Sequence, residues 1–459
     1  MLYIPLSALV MCARERRSKD NRMALNIRPR RLVRAALTVA LVAFVAACAG
    51  NHPDSVFHPR TDFNRDVGHL FNILIWAGSA VFVIVELILL YTLFRFRHRA
   101  GQRAPEQVHG NATLEILWTI IPALILVIIA IPTVQAIFKT QGEASPNALQ
   151  VEVIGHQWWW EFRYPKYNIV TANEVYLPQG QTVNFTLKTQ DVLHSFWVAA
   201  LGGKRDLISN HTNYLWFTPD STQPGAYNGV CAEFCGASHA NMRFRTFVVS
   251  PQDFEQWAQH QQTAAAFTVP APGQAPPNGQ AAAPATGRSA AAPTPGAPVA
   301  GAPVAPAPTT VTPVLQAGFI AYPRDSIKSY AVPNTPIPAG LTFNESLTGD
   351  ATRGAQFLSQ GMGGCLACHT IKGNPSMIGQ IGPNLTHIGS RSTIAAALYP
   401  NDTKHLALWI KNARAMKPGV IMPTLGLNQY DPVLKHTMTS GGLTDQQIAD
   451  IVAYLQALK

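Results

Sequence analysis

Along this chain the hydrophobic positions first form unbroken runs, then alternate, and finally recur at helical spacing. The first run, Ala35 to Ala47, follows an Arg-rich stretch and ends in small residues before Cys48. That is the layout of a secretory signal, too short to span a membrane. With the upstream extension it makes a leader over 1–47, and Met1 and Met23 both stand as starts. Two longer runs, His69–Phe94 and Leu114–Phe138, exceed the ~20 residues needed to cross the hydrocarbon core and predict a transmembrane hairpin within about 60–140. Arg95, Arg97, Arg99 and Arg103 between them place that loop in the cytoplasm. Everything after Lys139 therefore lies across the membrane.

From 146 to 260 the pattern becomes short alternating runs such as LQVEVIG, TVNFTLKT and FRTFVVS, split by polar turns such as LPQGQ. Period two at this spacing predicts a β-sandwich or barrel. Residues 263–312 are rich in Pro, Ala, Gly and Thr, and Arg288 is the only charge between Glu255 and Arg324. Such a stretch cannot bury a core and reads as a tether. Over 341–459 helical patterns return: Thr444 is an N-cap, and Ile448, Ile451, Val452 and Leu455 form one apolar stripe. The fold class is thus multidomain: a two-helix hairpin, a β-sandwich or barrel, and a small all-α domain.

Composition sharpens this picture. Charged residues make up 13%, against a usual share of about 25%, which argues against a single compact cytosolic enzyme. The net charge of +10 invites a nucleic-acid reading, but +7 of it falls in residues 1–35. Basic charge there belongs to targeting, and nucleic acid is excluded as a partner.

Four of the six cysteines form two tight pairs. Cys231, Cys235, His239 and Met242 lie within twelve residues, with His194 upstream. Soft sulfur with imidazole selects copper over hard cations, as a mononuclear site or as a thiolate-bridged pair. A Cys231–Cys235 disulfide is the bland alternative in an oxidising compartment. In the α domain, Cys365-Leu-Ala-Cys368-His369 is a haem c attachment sequence, with both thiols adding to the vinyl groups and His369 on the iron. Met422, between Pro418-Gly419 and Pro423, is the favoured second axial ligand over Met416; Met362 is too close to the attachment loop. A Met/His pair raises the reduction potential, which suits electron transfer.

GHQWWWEF (155–162), DVLHSFWV (191–198), the Cys231–Met242 run and LEILWTIIPA (114–123) resemble subunit II of haem–copper cytochrome c oxidases, in order from about 60 to 260. With Ile381-Gly-Pro-Asn-Leu385 and Met422, residues 349–459 resemble class I cytochrome c. The resemblance implies a cupredoxin-type domain carrying dinuclear copper A, two copper ions held by His194, Cys231, Cys235, His239, Met242 and the backbone carbonyl of Glu233. It further implies that the Glu233 carboxylate shares magnesium with subunit I, that Trp158 is the exposed residue where electrons enter, and that Glu115 opens a proton path. Val45-Ala46-Ala47-Cys48 is similar to a lipobox that would acylate Cys48. His156 lies outside the ligand set and reads as structural. Trp159 replaces a usual Tyr, and Ser209-Asn210-His211, following Lys204 and Asp206, departs from a usual Pro-Gly.

The implied function is the electron-transfer subunit of a respiratory oxidase that reduces oxygen to water and translocates protons. Its implied partners are subunit I, subunit III, a cytochrome c or other periplasmic donor, and membrane lipid. Its implied location is the bacterial inner membrane, two-pass, with both cofactor domains in the periplasm. The rivals are a quinol oxidase subunit, and a membrane-anchored carrier or copper-handling protein without an oxidase. Residues 150–260 and 341–459 carry net charges of −2 and +3, which predicts weak, transient docking of the two domains.

Overall fold

The computed structural model describes residues 36–43, 55–97, 101, 110–141, 144–222, 224–264, 322–327 and 334–459. Cys48, Met1, Met23, Arg99, Arg103 and nearly all of the expected tether lie outside them. The chain divides into two units, Met1–His52 and Pro53–Lys459. In the first, residues 36–43 are helical and exposed.

The second unit begins with helices α1 (Asp62–Arg95) and α2 (Ala112–Gln141), both longer than the apolar runs within them. The extra turns have a polar cause. Thr61 caps α1, accepting from Asn64 N, and its hydroxyl donates to the Leu201 carbonyl. Asp62 accepts from Thr218 N at 2.8 Å, and Asn64 donates to the Ala199 carbonyl at 2.8 Å. Phe63 is buried among the residues of the following β domain. Lys139, near the end of α2, pairs with Asp66 at 2.6 Å. Both outer ends of the hairpin therefore sit beside the β domain, opposite the loop that carries Arg95 and Arg97. Between the ends the apolar side chains are exposed, as expected of helices whose solvent is lipid.

Ten strands follow, in two five-stranded sheets. The first sheet, in order β3-β2-β1-β5-β8, comprises β1 (Leu149–His156), β2 (Trp159–Tyr164), β3 (Ile169–Ala172), β5 (Val183–Thr189) and β8 (Asn213–Phe217). The second, in order β4-β10-β9-β6-β7, comprises β4 (Glu174–Pro178), β6 (His194–Trp197), β7 (Arg205–Leu207), β9 (Gly225–Cys231) and β10 (Arg243–Val249). Alternate residues turn inward, Val151 and Val153 on β1 against Phe185 and Leu187 on β5. Trp160 fills the centre, with its ring edge-on to Phe196 and Phe244. Helix α3 (Pro251–Gln262) closes one end by laying Phe254 and Trp257 on Tyr164.

The C-terminal domain is organised by α4 (Ala351–Ser359) and α7 (Asp445–Ala457), with α5 (Thr403–Lys411) and α6 (Ala413–Met416) between them. Thr444 and Gln447 form a complete capping box on α7, and the stripe of Ile448, Ile451, Val452 and Leu455 is buried as the sequence pattern requires. At the helix crossing, Asp450 is buried and accepts from Asp350 N and from Nε and Nη2 of Arg353 at 2.8–2.9 Å. Gly354 permits that approach: a Cβ there would lie 2.1 Å from the Asp450 carbonyl oxygen. Gly354→Ala is therefore expected to destabilise this domain by about 1–3 kcal/mol through overpacking. Guanidinium unfolding should show a lower midpoint for the C-terminal domain with the β domain unchanged; an unchanged midpoint would refute the tight crossing.

Candidate metal and haem sites

Three segments converge at one end of the β domain. His194 opens β6, Cys231 closes β9, and the intervening loop carries Cys235, His239 and, just before β10, Met242. The two sulfurs lie 3.8 Å apart, far beyond the ~2.05 Å of a disulfide, and both cysteines are free. The disulfide alternative therefore fails here. Cys231 Sγ lies 3.9 Å from His194 Nδ1 and 3.2 Å from the Glu233 carbonyl oxygen. Cys235 Sγ lies 3.6 Å from His239 Nδ1 and 3.8 Å from Met242 Sδ. Each sulfur has its own histidine and its own weak donor. Two soft thiolates with imidazole and thioether fit copper and leave no hard-oxygen cage for magnesium or calcium.

The electrostatics favour metal uptake. The Cys235 thiol donates toward Cys231 and, with His194, pulls the Cys231 thiol well down against the effect of burial. Cys235 is raised in return, chiefly by Cys231. A metal ion would replace that shared proton. His194 is buried, which lowers its pKa, but Asp191 and Cys231 outweigh burial and raise it. Asp191 was not anticipated from the sequence. It sits 2.8 Å from His194 Nε2 and accepts from Gln157 N and Val192 N. A carboxylate there keeps the proton on Nε2 and turns Nδ1 toward Cys231. The i, i+3 spacing of Asp191 and His194 was the available signal.

The second site is a cavity of about 260 Å³ in the C-terminal domain, lined by Cys365, Cys368, His369, Pro383, Trp409 and Met422. His369 Nδ1 lies 2.8 Å from the Pro383 carbonyl; a carbonyl only accepts, so Nδ1 carries the proton and Nε2 is free to bind iron. Met422 is on the wall. Met416 is buried in the helical core, where its carbonyl accepts from the Tyr399 hydroxyl, and Met362 packs beside that core. The donor set and the apolar wall fit a covalent haem.

The β domain completes that cavity with Trp158 and Trp159. Trp158 Nε1 donates to the Cys235 carbonyl at 2.9 Å, beside Gln157 Nε2 at 2.8 Å. Lys417 Nζ donates to the Trp158 carbonyl at 2.5 Å, and burial pushes this lysine down to about 7. Gly419, with φ +85°, lies against the indole, where a Cβ would come within 2.8 Å of the ring. This corrects the expectation of an exposed Trp158: the residue is half-buried beneath the C-terminal domain. It touches the copper-site loop at one edge and the haem cavity at the other.

His156 stacks on Trp159 with centroids 4.2 Å apart and sits 3.3 Å from the Glu161 carboxylate, apart from the sulfur cluster. Glu115 is exposed in the first turn of α2, at the loop end of the hairpin. Asn210 adopts φ 60°, so this turn keeps the left-handed residue that a glycine would supply.

Family models match these three parts one by one, and relatives match across most of the chain. Family models match as "Cytochrome C oxidase subunit II, transmembrane domain" over 60–136, "Cytochrome C oxidase subunit II, periplasmic domain" over 168–249, and "Cytochrome c" over 351–459. The chain is 28% identical over 425 residues to cytochrome c oxidase subunit 2 of Alkalihalophilus pseudofirmus, covering 91% of this chain and 95% of that one. The Bacillus sp. PS3 counterpart is 29% identical, with 79% and 80% covered. The probable cytochrome c oxidase subunit 2 of Rickettsia bellii is 30% identical, with 50% of this chain and 93% of that one covered.

Loss of the Asp191 carboxylate frees the His194 ring. Asp191→Ala is expected to weaken copper retention about ten- to a hundredfold, with covalent haem unchanged, as measured by chelator competition on the purified full chain. Retention equal to wild type would show that Asp191 does not support the ligand.

Proposed function

This chain belongs to the cytochrome c oxidase subunit II family, and from that premise we propose that His194, Cys231, Cys235, His239, Met242 and the Glu233 carbonyl hold two copper ions, while Cys365, Cys368, His369 and Met422 hold one haem c. The chain is the electron-transfer subunit of a terminal oxidase, a two-pass membrane protein that works with the oxidase core and a cytochrome c donor. The reading as a free-standing carrier or copper-handling protein is not favoured. One observation carries the ligand assignment: each of two sulfurs 3.8 Å apart is flanked by its own imidazole nitrogen, at 3.9 and 3.6 Å.

When bound, the copper pair and the haem supply one-electron carriers; the protein's part is to hold them rigidly. Asp191 keeps the proton on His194 Nε2, and Pro383 keeps the proton on His369 Nδ1. Trp158 bridges the two sites, with its indole N–H on the Cys235 carbonyl and its ring on the haem-cavity wall; we assign it as the residue through which electrons enter the copper domain. Cys231, Cys235 and Met242 are all buried, which limits the solvent that must reorganise when the site changes charge.

The finer assignments follow from the same reading. The Glu233 carboxylate takes part in a magnesium site shared with subunit I, Glu115 opens a proton path there, and subunit III joins the complex. Residues 60–140 form the hairpin in the bacterial inner membrane, 146–260 the copper domain, 263–312 the tether and 341–459 the haem domain. Residues 1–47 form the leader, and Cys48 is the acylation site.

Metal analysis with electron paramagnetic resonance on the full chain tests the assignment. We expect two coppers per covalent haem, sharing one delocalised unpaired electron. Cys235→Ser should abolish that signal and leave the haem. Met422→Leu should keep the haem covalently attached and lower its reduction potential. One copper per haem in the wild type would refute the paired site.

A further inference from the structure

Among the acids of the β domain, Glu174 stands apart from the sulfur cluster but borders the haem cavity, whose wall includes its partner Thr393 and the neighbouring Arg391 and Asn173. It begins β4, is 2% exposed, and sits in register with Arg245 of β10. Its Oε1 accepts from Ser392 N at 2.8 Å, from Thr393 N at 3.1 Å and from both hydroxyls. All four donors belong to the haem domain, over two hundred residues away in sequence. Burial raises the Glu174 carboxyl, while Ser392 and nearby Arg391 pull it back.

Other buried contacts surround this one. Arg324, just after the tether, donates to the Asn401 and Gly389 carbonyls of the haem domain at 3.2 and 2.8 Å, while neighbouring Tyr322 packs on Phe247 of the copper domain. His260 of α3 lies against His387 of the haem domain, centroids 4.6 Å apart. Ser238, in the copper-site loop, donates to the Pro418 carbonyl. The weak, transient docking expected from net charge is therefore not what the two faces are built for. Separation would return these groups to water at about 0.5–1.5 kcal/mol net per hydrogen bond lost, so the several bonds together oppose it.

We propose that Glu174 is the positioning residue of a lasting dock between the two domains, seating the Ser392–Thr393 corner so that the haem cavity stays closed over Trp158. The inference rests on the copper and haem assignment above and adds what holds the two sites in register. It also makes the Trp158 surface inaccessible to a separate donor protein, which must deliver its electron to the fused haem domain.

Hydrogen exchange on the full chain within its oxidase tests the dock. Glu174→Ala is expected to speed exchange of the Ser392 and Thr393 amides, and of the 155–162 peptide, roughly tenfold or more, with copper signal and haem content unchanged. Electron transfer within this variant should become slower and dependent on viscosity, whereas the wild type should be insensitive to viscosity and ionic strength. Glu174→Gln retains an acceptor oxygen and should restore protection. Ser392→Ala, made on the opposite face and so unable to disturb the β domain, should loosen the same peptides in the same direction. Wild-type exchange in Glu174→Ala, or equal loss in Glu174→Gln and Glu174→Ala, overturns the proposal. Protected amides in a chain that binds no copper would instead refute the proposed function and leave the dock standing.

Discussion

The structure depends on holding two thiols 3.8 Å apart without letting them close into a disulfide. Short cysteine loops in an oxidising compartment tend to pair, so the loop between Cys231 and Cys235 must be held from outside. The Cys235 carbonyl receives both Gln157 and Trp158, and the Ala232 N–H is fixed on the Ser195 carbonyl. The end of β1 and the start of β6 thus clamp the loop at two points. Because the clamp is part of the sheet edges, the site inherits the rigidity of the sandwich.

The same clamp links the copper loop to the haem domain. Trp158 holds Cys235 with its indole nitrogen and offers its carbonyl to Lys417. This buried lysine donates to carbonyls, and burial lowers its pKa because the charged form is disfavoured in an apolar surrounding, while the nearby Cys235 thiol pulls the other way. The hairpin is tied in at the opposite end by Thr61, Asp62 and Asn64. Among the described residues, the membrane hairpin, the copper domain and the haem domain are thereby joined by direct hydrogen bonds.

Much of this was legible in the residue pattern because the relevant physics is local. A transmembrane run needs only length and apolarity. A strand needs alternation, and the Thr444 cap lies a few residues from the stripe it starts. The Cys365–Cys368–His369 attachment sequence and the Cys231–Met242 run each sit within a short span, so spacing marked them as candidates and the family resemblance implied their roles. Pro418-Gly419 and Pro423 favour Met422 over Met416 in the sequence, and the fold places Met422 on the cavity wall and Met416 in the helical core.

What lay beyond the sequence is contact across distance. Asp191 shares a phrase with His194, yet only the fold turns its carboxylate onto Nε2. Trp158 reads as a surface aromatic until Lys417, 259 residues later, covers it. Glu174 and Ser392 stand 218 residues apart, on opposite sides of a stretch with almost no charge or pattern of its own. The sequence by itself determined the elements, the candidate ligand runs and the order of the parts, because periodicity and ligand spacing act within a few residues. Tertiary structure alone decided which face of the haem domain meets the copper domain, because that depends on buried donors finding acceptors on separately folded surfaces.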